Sequence, residues 1–250
     1  MSHVRAVIRL LLLALSMSSL FFIWLIGDAL LFSSSDKRRR WRNRLSRLGA
    51  RAVAWSMGMT IDVQGSPPEP PFCLVANHLS YMDAVVLMAH IRGVMMAKSE
   101  VSSWPLIGTL SRRIGTVFID RETARDVVRV NTMIASLLES GDGIAFFPEG
   151  TTSDGSSVGR FKSSLLNYPA ASTYPVHYAA IRYVTRTNEA SERVCWWRDM
   201  TFATHVYHLA RLGRFRAEVH FGVTPVIASD RKQLTAALQS RVEDLFHPVH

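Results

Sequence analysis

The chain is predicted to fold as an α/β domain, with a largely parallel central sheet flanked by helices, behind an N-terminal membrane-associated helical segment. Three observations predict it. Short, continuously apolar runs such as Phe72-Cys73-Leu74-Val75-Ala76 are of the type that fills a buried parallel sheet. Helical stretches alternate with these runs, and that alternation places helices on the sheet faces. An almost unbroken apolar stretch from Leu10 to Phe32 precedes both. With 250 residues, 48% of them hydrophobic, the chain can bury a full core without disulfides.

The N-terminal segment, residues 1–36, reads as a hydrophobic membrane anchor. Its 23-residue apolar run makes roughly 34 Å of helix, against about 30 Å for a hydrocarbon core. Asp28, Ser16, Ser18 and Ser19 weaken a strict span, because an acidic group is costly in lipid away from the interface. Cationic residues are dense after the run, from Lys37 to Arg51, and sparse before it, with Arg5 and Arg9 only. The positive-inside rule then puts the rest of the chain on the cytoplasmic face of the inner membrane. A cleaved signal peptide ending near Ala14-Leu15-Ser16 is the competing reading, but the apolar run continues well beyond it.

Residues 37–63 are read as a basic amphipathic segment. Trp41, Leu45, Leu48, Ala52, Trp55 and Met59 recur at spacings of three and four, with Arg42, Arg44, Arg47 and Arg51 elsewhere on the wheel. Such a helix either meets anionic head groups or packs on its own domain. The charge is concentrated here. Residues 1–51 hold ten Lys/Arg against two Asp/Glu, and the remainder is nearly balanced. A nucleic-acid partner is therefore not expected, since its footprint would lie on the folded domain.

Gln64 to Pro71 is a turn-rich linker, placing the α/β domain at residues 72–250. In order, the expected elements are a strand at 72–76, a helix at 82–91, a strand at 114–119 and a helix at 123–139 closed by Ser140-Gly141. A strand at 144–147 and strands at 175–184 and 215–223 follow. Ser229-Asp230 offers an N-cap to a last helix carrying Leu234, Leu238, Val242 and Leu245. Cys73 and Cys195 have no metal or redox spacing and read as reduced packing residues.

Three polar strings each begin where an apolar strand ends: Asn77-His78-Leu79-Ser80-Tyr81-Met82-Asp83, then Gly115 to Arg121, then Phe147-Pro148-Glu149-Gly150-Thr151. In open α/β sheets reactive groups collect beyond the carboxyl ends of the strands. A histidine near neutral pKa can take a proton from an alcohol when a carboxylate holds its ring, and Asp83 is the carboxylate within reach of His78. Ser80 to Asp83 equally fits a helix capping box, which needs no histidine.

Together and in this order, the strings closely resemble the glycerolipid acyltransferase family, whose bacterial representative makes phosphatidic acid. The resemblance runs from about Phe72 to Val226 and extends to Lys98 in Met96-Ala97-Lys98-Ser99-Glu100, to Trp104-Pro105-Leu106-Ile107-Gly108, and to Tyr174-Pro175-Val176. It implies acyl transfer from acyl-CoA or acyl-carrier protein to a lysolipid hydroxyl, with His78 as general base and Asp83 orienting it. It implies no cofactor and no metal. By the same resemblance Arg121, Glu149 and Gly150 bind the acceptor, with Lys98, Thr151 and Lys162 beside them. The expected acceptor is 1-acyl-glycerol-3-phosphate. One departure bears on it: Thr152 stands where lysophosphatidate enzymes carry an Arg, and the stretches 151–155 and 160–164 look closer to relatives acting on lyso-ornithine lipid or other lysolipids.

Other readings compete. Gly155-Ser156-Ser157-Val158-Gly159 matches a serine-hydrolase pattern, but that elbow needs a strand before it and a helix after it. His205, His208 and His220 read as structural histidines. A non-catalytic lipid-binding protein on this fold would be expected to lose one of His78, Asp83 or Glu149, and all three are present.

Overall fold

The computed structural model describes residues 2–31, 34–104, 106–120 and 123–250. Helix α1, Ser2–Leu30, carries the apolar run and folds back against α2, Ser35–Met57. Ser34 caps α2 by accepting from the Lys37 N–H, and Gly58 ends it in the left-handed region at φ 75°. The two helices approach closely at Gly27, where any Cβ would collide with the Trp41 indole.

Here the structure departs from the sequence reading. The helix stops at Met57, and Met59–Gln64 is strand β1, so the sheet begins ahead of the linker rather than at residue 72. β1 is an edge strand with polar Thr60, Asp62 and Gln64 turned outward. Its alternation is too short to stand out beside the helical pattern before it.

The remaining elements are β2 (Phe72–Ala76), α3 (Met82–Met88), β3 (Val94–Lys98), α4 (Ile107–Arg113), β4 (Val117–Ile119), α5 (Ala124–Glu139) and β5 (Gly143–Phe146). Then come α6 (Asn167–Ala171), β6 (Val176–Val184), α7 (Ala190–Arg193), α8 (Phe202–Arg211), β7 (Phe215–Phe221) and α9 (Arg231–Leu245). The sheet order is β1-β7-β6-β2-β5-β3-β4. All neighbouring strands pair in parallel except β6 and β7.

Strand β2 lies centrally and is buried along its whole length. Its Phe72, Leu74 and Ala76 join a core layer with α1, α2, α3 and α8, while Cys73 and Val75 join a second layer with α5 and α9. That two-sided burial explains why β2 reads as a continuous apolar run.

Arginines of α2 hold it to the domain. Arg42 pairs with the buried Asp142, Arg39 donates to the Ser140 carbonyl, and Arg51 Nε donates to the Ala89 carbonyl at 3.1 Å. Of the two sequence readings for this helix, domain packing accounts for these three. Lys37, Arg38, Arg40, Arg44, Leu48 and Trp55 stay exposed.

Candidate active site

The parallel strands β2, β5, β3 and β4 end at one edge, and β6 runs with them. Val75 of β2 pairs with Phe146 of β5. His78 and Glu149 each follow their strand at the same distance from that pair, so the two loops start side by side.

His78 Nδ1 lies 2.8 Å from Asp83 Oδ2. The same oxygen accepts from the Leu79 N–H at 2.6 Å and the Ser80 N–H at 2.8 Å, and Oδ1 accepts from the Tyr183 hydroxyl at 2.6 Å. Asp83 is fully buried. The helix-capping and histidine-holding readings of Asp83 therefore hold together: one carboxylate caps the turn and orients the ring. Four donors around its two oxygens meet the requirement that a buried carboxylate be paired. With Nδ1–H directed at Asp83, Nε2 carries the lone pair, and among the described residues it has no hydrogen-bond partner. The imidazole also stacks on Phe147, with ring centroids 4.0 Å apart and planes 1° from parallel.

Glu149 is placed differently. Its Oε1 accepts from the His78 backbone N–H at 2.8 Å and its Oε2 from the Gly159 N–H at 3.1 Å. It is only 5% exposed. Burial pushes its carboxyl up to about 7, against the pull of those two N–H groups towards the carboxylate. A Cβ on Gly159 would stand 2.3 Å from Oε2, so this position admits only glycine without displacing the carboxylate. Gly150 turns the chain at φ 84°, and the Ser153 N–H returns to the His78 carbonyl at 3.1 Å. Glu149 thus ties three loop segments together and holds the histidine's own backbone.

The other sequence-predicted residues are spread along this edge. Thr151 is exposed on the loop beyond Gly150, and the Lys162 N–H donates to the Pro148 carbonyl at 2.9 Å, leaving its side chain exposed. Lys98 ends β3, beyond β5 from His78, with its ammonium 2.6 Å from Glu100. Arg121 lies outside the described residues; β4, the strand before it, ends at Ile119, which pairs with Lys98. Thr152 donates to the Trp196 carbonyl, and the Trp196 N–H donates to the Leu79 carbonyl at 2.7 Å. Trp196 links both loops to an aromatic cluster of Tyr81, Phe202 and Trp104.

The competing readings fare as follows. Ser157 is exposed in a loop, without a strand before it or a helix after it, so the elbow geometry is absent. His205 is buried, with Nδ1 2.9 Å from the Tyr81 hydroxyl and Nε2 3.2 Å from the Cys195 carbonyl, a structural role. Tyr183 was not singled out from the sequence, and Phe147 and Gly159 were noted only as members of longer strings, although each touches the centre.

An imidazole oriented by a buried carboxylate, with its second nitrogen open at the carboxyl edge of a parallel sheet, has the geometry that general-base chemistry requires. Comparisons with known proteins specify the class. A family model described as Acyltransferase matches residues 60–182. A lyso-ornithine lipid O-acyltransferase of Rhodobacter capsulatus is 34% identical over 214 residues, covering 82% of this chain and 76% of that protein. A 1-acyl-sn-glycerol-3-phosphate acyltransferase of Neisseria meningitidis is 28% identical, covering 83% and 81%. The crystal structure of the 1-acyl-sn-glycerophosphate acyltransferase PlsC from Thermotoga maritima matches the fold with a TM-score of 0.64, at 21% identity and 98% coverage of each chain. The chain belongs to the acyltransferase family, and it is an O-acyltransferase.

Proposed function

We propose that the enzyme transfers a fatty acyl group from a thioester, acyl-CoA or acyl-carrier protein, to the free hydroxyl of a lysolipid. The observation that carries this reading is the His78–Asp83 pair with Nε2 open. Nε2 takes the proton of the acceptor hydroxyl while its oxygen attacks the thioester carbonyl. The C–S bond then breaks, and the thiolate leaves with the proton returned from the imidazolium. Asp83 steadies the imidazolium, and base catalysis of this kind is worth about 10²–10⁴-fold. The N–H groups of Thr151 and Thr152, unpaired among the described residues, are suited to receive the developing oxyanion.

The acceptor reading favoured is a lyso-ornithine lipid. It is supported by Thr152, whose hydroxyl is committed to Trp196 where a phosphate-binding Arg would stand, and by the activity named for the Rhodobacter relative. The second reading is 1-acyl-glycerol-3-phosphate, supported by the cation of Lys98 on the same edge and by the Neisseria relative. A panel of lysolipid acceptors offered to the purified enzyme tests both. Preference for lyso-ornithine lipid is expected, and acylation of lysophosphatidate alone would reverse the order.

The site is proposed to work at the cytoplasmic face of the inner membrane, with α1 lying in one leaflet rather than crossing it. Both ends of α1 are held by the domain: Arg9 Nη1 donates to the Leu212 carbonyl at 2.7 Å, and the Trp24 ring lies 4.6 Å under the Arg113 guanidinium. Along the helix Val4, Ile8, Leu11, Leu15, Phe22 and Ile26 form an exposed apolar stripe. A tag before His3 is expected on the cytoplasmic side, and a periplasmic tag would establish a crossing.

A further inference from the structure

Between the N-terminal end of α1, the loop from β6 to α7 and the loop from α8 to β7 lies an open cavity of about 800 Å³. Six arginines line it: Arg5, Arg9, Arg186, Arg193, Arg211 and Arg214. The carboxylate in its wall is that of Glu189, already engaged by Arg193 at 3.4 Å and by the Thr187 hydroxyl at 2.9 Å. Arg5 and Arg9 donate to neutral carbonyls at the end of α8, which leaves their charge uncompensated, and both Arg5 and Arg214 repel Arg9. Arg186 and Arg214 are exposed and have no partner among the described residues. With Glu189 engaged by Arg193, the other five guanidinium groups have no carboxylate partner among the described residues, and such forks in a concave site match the geometry of phosphate oxygens.

The position of the cavity matters as much as its charge. It opens at the carboxyl end of β6, the edge that carries His78. Thr185, in its wall, comes two residues after Tyr183, whose hydroxyl holds Asp83. At 100° per residue, Arg5 and Arg9 sit roughly 120° around α1 from the exposed stripe of Val4, Ile8 and Leu11. The cavity therefore faces away from the surface suited to lipid, towards a soluble ligand.

We propose that this cavity binds the phosphates of the acyl donor, the adenosine 3′,5′-bisphosphate end of coenzyme A, so that the thioester arm runs along the sheet edge to His78. This rests on the acyl-transfer reading above and names the donor for it.

The test uses the full chain in neutral-lipid vesicles with a lysolipid acceptor and two donors, acyl-CoA and the acyl-pantetheine thioester that lacks the nucleotide. The wild type is expected to favour acyl-CoA. In the Arg186→Ala/Arg214→Ala variant the ratio of kcat/KM for acyl-CoA over acyl-pantetheine is expected to fall about tenfold or more, through KM for acyl-CoA, and the double Lys variant to restore part of it. Calorimetric titration with adenosine 3′,5′-bisphosphate needs no turnover, so it judges the cavity separately from the reaction. Binding to the wild type and its loss in the double Ala variant, at unchanged Tm, are expected. An unaltered donor ratio, or no nucleotide binding to the wild type, would overturn the proposal. So would a defect that appears only as the anionic phospholipid content of the vesicles is varied, which would assign the cavity to head-group phosphates.

Discussion

The loops after β2 and β5 leave adjacent strands in matched register, yet one presents its titratable side chain and the other buries it. His78 keeps Nε2 open, with its side chain one-fifth exposed, while Glu149 has both oxygens committed to backbone N–H groups. The difference separates two jobs that a motif merges: in the mechanism proposed above the first loop supplies the proton acceptor, while the second holds the backbone from which it projects. Substitutions in the first should strike kcat, and those in the second should strike stability and geometry together.

The largest effect is expected from His78→Ala, which should lower kcat by about 10²–10⁴-fold at unchanged Tm. Asp83→Asn should cost about 10²–10³-fold, because the amide can turn a donor towards Nδ1 and favour the wrong tautomer. Steady-state kinetics on the folded variants would measure both. Were Asp83→Asn to leave kcat intact, Asp83 would be a helix cap only.

Glu149→Gln sharpens the other side. The amide keeps one acceptor and sets an NH₂ against either the His78 or the Gly159 N–H, so a buried donor loses its partner, at about 1–3 kcal/mol. Its pH dependence has a definite sign. The folded carboxyl lies near 7 against an ordinary 4.5, so between those values the folded chain retains a proton that the unfolded chain has released. The stability contributed is present below 4.5 and lost as pH rises through about 7. The unfolding free energy of the wild type relative to Glu149→Gln should therefore fall by roughly 3 kcal/mol across that window, measured by denaturant titration at its two ends. A constant difference would show that Glu149 does not titrate there. The smallest effect is expected from Tyr183→Phe, which removes one charge-assisted bond to Asp83 and should reduce kcat about tenfold.

The unequal legibility of these parts has physical causes. His78 and Asp83 are five residues apart, so local spacing made the pair a candidate, and the three strings taken together singled it out. Glu149 was read as an acceptor ligand or as a residue ordering its turn, but the clamp across loops was not legible, because its partners are backbone N–H groups, one of them 71 residues away, and a backbone donor leaves no residue signature. Tyr183 sits on the buried face of β6 and reads as core until its hydroxyl is seen to reach Asp83. Strand β3 was absorbed into a polar-ended motif, and β1 was hidden by the amphipathic helix it follows. Whether the arginines of α2 face lipid or the domain was open in the sequence because their partners, Asp142 and the carbonyls of Ser140 and Ala89, lie far off in the chain.

Direct transfer driven by His78 is tested most closely by mixing the enzyme with acyl-CoA, with and without a lysolipid acceptor, while following thiol release and intact protein mass. Thiol release that requires the acceptor, equals the diacyl product formed and leaves the protein mass unchanged is the expected result. A burst of thiol without acceptor, together with a protein heavier by one acyl group, would contradict it.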